Sequence, residues 1–110
     1  MKDKNLHAKI DYFAKEKAKH RFQTTWFIHE VEDVNQVISD KKSASMKYRF
    51  IGEDNKWKEV TAKIKGNTVL DFWKAAEECY TKANAQGDWH SYIEAFTTGA
   101  YGFVVLHMGS

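Results

Sequence analysis

Proline is absent from the 110 residues, cysteine occurs once and glycine six times. A lone Cys79 cannot close an internal disulfide, and no CxxC or CxxH pair is present, so neither a disulfide framework nor that kind of structural zinc site is available. Long apolar runs are missing as well. The longest, such as Trp26-Phe27-Ile28 and Phe103 to Leu106, fall far below the roughly 18 residues of a spanning helix, so no membrane partner is expected. The opening Met-Lys-Asp-Lys-Asn lacks the apolar stretch and small-residue cleavage site of a secretory signal, which makes a cytoplasmic location the expectation. GxSxG, HExxH and Gly-rich phosphate loops are also absent, and with them the signatures of several enzyme classes.

What is present is apolar and aromatic. Hydrophobic residues make up 43% of the chain and aromatics 15%, too much for disorder and enough for a core without staples. At this length there is room for one core, so residues 1–110 read as a single domain. The net charge of +2 is unevenly spread: residues 1–21 hold seven Lys or Arg against three acids, while the remainder is slightly acidic. Such a split fits an arm for nucleic acid or an acidic partner, and equally a solvated helix face.

Residues 3–20 place Leu6, Ile10, Phe13, Ala14 and Ala18 at spacings of three and four without Gly, which predicts an amphipathic helix with a narrow, loosely docking stripe. Phe22 to Val31 is aromatic and β-branched and reads as a strand. Ser39 to Ser45 is a loop. Met46, Tyr48 and Phe50 alternate with Lys47 and Arg49, then Gly52-Glu53-Asp54-Asn55 turns the chain, and Trp57 to Ile64 alternates again as the second strand of a hairpin. Thr68 and Asp71 form a capping-box pattern before Val69, Trp73, Ala76, Tyr80 and Ala83, a wide helical stripe that Gly87 ends. Trp89 to Phe96, a turn over 97–100 and Tyr101 to Leu106 complete a closing hairpin. The expected class is α+β: helix, three strands, helix, two strands, with an antiparallel sheet and the 68–86 helix packed on one face. That order is similar to the one in small dimeric secretion chaperones, a family that is acidic where this chain is mildly basic. Residues 107–110, His-Met-Gly-Ser, look like a tail or cloning remnant and are kept out of the functional reading.

In a strand His90, Tyr92 and Glu94 would line one side, where a His and a Glu two residues apart can share a proton or a polar ligand. They are the only candidates for a catalytic or small-molecule site. The run His29-Glu30-Val31-Glu32-Asp33 reads as an acidic strand end, because residues of an extended chain point alternately to opposite sides and few of them can converge on an ion. No metal and no cofactor are expected. Cys79, beside the apolar stripe, reads as a buried thiol.

Trp57 falls opposite Val60, Ala62 and Ile64, so it is expected to be exposed, and Lys47, Arg49, Lys58 and Lys63 lie on the same hairpin. An exposed indole among cations suits a protein partner, for which Trp and Arg are common anchors. It also suits single-stranded nucleic acid, whose bases stack on rings. The first reading is therefore a small non-enzymatic macromolecule-binding protein acting on a protein partner as a homodimer, similar in kind to phage- or plasmid-type accessory and inhibitor proteins. The alternatives are a single-stranded nucleic-acid binder and a small-molecule or nucleotide-binding domain with a His90/Tyr92/Glu94 pocket.

Overall fold

The computed structural model describes residues 2–26, 33–38, 44–98 and 103–109. In them lie helix α1 (Lys2–His20), strands β1 (Thr25–Trp26), β2 (Ala44–Ile51) and β3 (Trp57–Ile64), helix α2 (Val69–Asn84), and strands β4 (Tyr92–Thr98) and β5 (Phe103–Gly109). This is an α+β domain with one five-stranded sheet in the order β1-β4-β5-β2-β3. The sheet is mixed, which corrects the expectation of an antiparallel one. The β2–β3 and β4–β5 hairpins are antiparallel, but β1 runs parallel to β4 and β2 parallel to β5. Short connections dictate only the hairpin pairings. After α2 crosses one face of the sheet, the second hairpin docks through β5, which runs the same way as β2.

Strand ends also moved. Of the first expected strand, Thr25 and Trp26 pair with β4, and residues 27–32 lie outside the described residues, as do 39–43 of the loop and 99–102 of the last turn. Trp89 and His90 precede β4 instead of opening it. Residues 107–109, set aside as a tail, continue β5, where Met108 pairs with Ile93.

Thr68 caps α2 as its sequence predicts, its side chain accepting from Asp71 N–H at 3.2 Å while the Asp71 carboxylate accepts from Thr68 N–H at 3.1 Å. The helix buries Val69, Phe72, Trp73, Ala76, Cys79 and Ala83 against Met46, Tyr48, Phe50, Val60, Ala62 and Ile64 of the sheet. Trp73 is fully buried at the centre, with Phe13, Phe22 and Trp26 around it at ring-centroid distances of 6.0, 4.8 and 6.0 Å. Its indole N–H donates to Thr24 Oγ1 at 3.0 Å, and the Glu77 carboxylate accepts from Gln23 N–H, Thr24 N–H and the Thr24 hydroxyl. These bonds clamp the segment between α1 and β1 onto α2. The narrow stripe of α1 delivers Phe13 to the core while leaving Ile10 half-exposed; Tyr12 accepts from Val34 N–H at 2.8 Å and Lys17 donates to Thr25.

The opposite sheet face, carrying Arg49, Ile51, Trp57, Glu59, Thr61 and Lys63, is exposed. Two features of the sheet position the site. The β2–β5 ladder covers Ser45↔Phe103, Met46↔Val104 and Lys47↔Val105 and then stops, so the rest of each strand is unpaired on that side among the described residues. A register shift between Ile93 and Ala95 makes Glu94 a bulge residue, which reverses the facing of everything after it. Among the described residues no helix is long and apolar enough to cross a membrane.

Candidate functional site

Where the β2–β5 ladder stops, an open groove of about 540 Å³ begins. One wall is β2 from Tyr48 to Ile51, the other is β5 from Leu106 to Met108, and the segment Asp88-Trp89-His90 closes the end. That segment is held by the end of α2. Asp88 N–H donates to Ala83 O at 3.1 Å and Asn84 Nδ2 donates to Asp88 O at 3.1 Å. The turn passes through Gly87 at φ 100°, a left-handed backbone conformation that glycine adopts without steric cost.

This turn drives the Asp88 side chain inward. Its carboxylate, 4% exposed, accepts from the Tyr48 hydroxyl at 2.7 Å through one oxygen and from His90 Nδ1 at 2.8 Å through the other. An ionised carboxylate only accepts, so Nδ1 carries the proton and a neutral His90 ring presents Nε2 as a hydrogen-bond acceptor. Burial, followed by the hydrogen bond and negative charge of Asp88, pushes the Tyr48 hydroxyl above its ordinary range and keeps it a donor. The Trp89 indole lies over the His90 ring at 4.0 Å with planes 22° apart, itself 65% exposed. The arrangement orients an imidazole at a groove. Cys79 is buried in α2 with its thiol pushed up to about 12 by burial.

The expected trio is only partly brought together. His90 and Glu94 both line the groove, whereas Tyr92 pairs with Gly109 outside it; the bulge at Glu94 breaks the simple alternation that put the three on one side. Tyr48 and Asp88 stand where Tyr92 was expected to contribute. Tyr48 sits on the core side of the β2 alternation with Met46 and Phe50, and Asp88 follows the glycine that ends a helix, so neither carries a local signal of a site.

On the hairpin, Trp57 is 68% exposed at the groove's lip, with the Arg49 guanidinium 5.9 Å from its ring centroid. Lys47 lies over the Phe103 ring at 4.0 Å, and Lys47 and Arg49 each approach Glu59 to 4.0 Å. Lys63 shares that open face by strand alternation. Lys58 does not: it alternates to the other side of β3 and pairs with Asp54 at 3.5 Å. The cations of the hairpin are thus divided between two faces and interleaved with acids. Of the His29–Asp33 run only Asp33 is described, and its carboxylate accepts from Asn35 N–H at 2.8 Å. Among the described residues no group of three or more His, Cys, Asp or Glu is placed to hold a metal ion.

No protein-family model matches this chain, and no curated protein or solved structure is detectably similar to it.

Proposed function

We propose that this chain is a non-enzymatic binding protein that takes a protein partner on the open sheet face and the groove at its end, in the manner of an accessory or inhibitor protein. The observation that carries the reading is the pair of largely exposed indoles, Trp57 and Trp89, beside one concave site, with Arg49 against the first. Exposed Trp and Arg around a groove are the side chains from which interface anchors are made. Single-stranded nucleic acid would need spare cations beside the rings, and here Lys47 and Arg49 share Glu59 while Lys58 faces away. A small polar ligand is the second reading, supported by His90 standing in a concave site with its ring oriented by Asp88.

Trp57→Ala tests the first reading. Folding stability is expected to change by no more than about 0.5 kcal/mol, since the ring is exposed, while partner affinity falls by about 2 kcal/mol or more. Urea unfolding measures the first quantity. The second comes from comparing what immobilised wild type and variant retain from a lysate, then titrating the purified partner into both. Equal retention by the two proteins would overturn the reading. Fluorescence anisotropy with labelled oligonucleotides at low and moderate salt decides against it in another way, because tight binding that weakens steeply with salt would mean phosphate contacts. The reading includes a homodimer, and sedimentation equilibrium measures it directly.

A further inference from the structure

The wall of the groove is made of main chain as well as side chains. Gly52 N–H donates to Lys56 O at 3.0 Å, which makes these two a hydrogen-bonded pair at the head of the β2–β3 hairpin. Antiparallel pairs alternate, so Phe50/Lys58 and Tyr48/Val60 are hydrogen-bonded pairs, and Ile51/Trp57, Arg49/Glu59 and Lys47/Thr61 are not. The Thr61 carbonyl agrees, since Lys82 Nζ reaches it from α2 at 2.7 Å. It follows that the N–H and C=O groups of Arg49 and Ile51 face away from β3, toward β5. The β2–β5 ladder ends at Lys47↔Val105, before it reaches them. Among the described residues, two strands with unpaired inner edges therefore border one groove.

Main-chain donors and acceptors need partners, and the chemical form that offers N–H and C=O at strand spacing is another extended chain. We propose that an extended segment of a partner protein enters the gap between β2 and β5 and pairs with it as an added strand. This rests on the protein-binding reading above and specifies its chemistry. Side chains of the entering strand alternate. On the core side they meet Phe50, Leu106 and Met108 and are apolar; on the open side they meet Arg49, His107 and Trp57. The ionisable groups lining the groove are Arg49, His90 and His107 with Asp88 and Glu94; Asp88 engages Tyr48 and His90, Arg49 approaches Glu59, and His107 Nε2 meets the Thr97 hydroxyl at 2.9 Å. The open side is lined by polar and charged groups of both signs, so the entering segment alternates apolar and polar residues.

The test selects short linear peptides from a displayed random library on the full chain, then synthesises the best binders with and without N-methylation at alternate amides. Selected sequences are expected to alternate apolar and polar residues, and N-methylation of the pairing amides to weaken binding about tenfold or more. Amide hydrogen exchange of Arg49, Ile51 and Met108 should slow on peptide binding. If a protein partner binds in a Trp57-dependent way while exchange at these amides is unchanged and N-methylation costs nothing, the strand insertion is overturned and the binding reading stands. If no peptide is selected and the partner is indifferent to Trp57→Ala, both fall together.

Discussion

Asp88→Ala is the perturbation that bears most directly on the site, because one buried carboxylate holds both Tyr48 and His90. Hydrogen bonds to a charged group contribute about 1.5–3 kcal/mol each, and a buried hydroxyl left without a partner costs about 1–3 kcal/mol. The His90 side chain is 31% exposed and can turn to water, so most of the loss falls on the Tyr48 hydroxyl. The expected destabilisation is about 3 kcal/mol, on the order of a 10–20 °C drop in Tm. Tyr48→Phe alone should cost about 1–2 kcal/mol, since the carboxylate keeps His90. In the Asp88→Ala background the same Tyr48→Phe change removes an orphaned donor and should be neutral or stabilising, which makes the pair strongly non-additive. Urea unfolding followed by tryptophan fluorescence gives all four corners of the cycle. A further consequence concerns the ring: Asp88→Asn can present an amide N–H to Nδ1, moving the imidazole proton to Nε2, which imidazole nitrogen chemical shifts report. Additive losses across the cycle would refute the shared-carboxylate account.

Glu77→Ala should cost about 2–4 kcal/mol, because its carboxylate is the acceptor for two main-chain N–H groups and a buried hydroxyl; a loss below about 0.5 kcal/mol on denaturation would mean that the Gln23–Thr24 segment holds itself. Stability should also decline in alkali. The Cys79 thiol and the Tyr48 hydroxyl are both held above their unfolded values, so the folded state keeps protons that the unfolded state releases. Their contribution is complete below about pH 9 and is lost as pH rises; Cys79 alone gives a slope of about 1.4 kcal/mol per unit until its folded value near 12. Unfolding curves between pH 8 and about 11 for wild type and Cys79→Ala check this by the difference in slope. A Cys79→Ala slope equal to that of wild type would remove the thiol from the account.

The elements that the sequence disclosed are those in which local signals agree. The α2 start is written in Thr68 and Asp71, the hairpin in the alternation of Met46 to Phe50 and Val60 to Ile64, and the exposure of Trp57 follows from the same alternation. The mixed sheet was not legible, because β2 and β5 come from opposite ends of the chain and no local pattern dictates which strand of the second hairpin meets the first. The site failed for the same reason, with one addition. A period-two reading of His90, Tyr92 and Glu94 assumes an unbroken strand, and both the late start of β4 and the bulge at Glu94 violate it. Tyr48 and Asp88 meet across the fold, so their pairing depends on how α2 ends, in the turn at Gly87.

The contact from Lys82 to the Thr61 carbonyl has a bearing on how this sheet can grow. A strand that joins an outer edge presents a new outer edge in its turn, so such pairing has no natural stopping point and runs on toward filaments. With Lys82 occupying a carbonyl on the rim of β3, that open-ended route is obstructed there. A gap inside the sheet behaves differently, because one strand fills it and no fresh edge results. Pairing through the gap is thereby confined to additions that end at one.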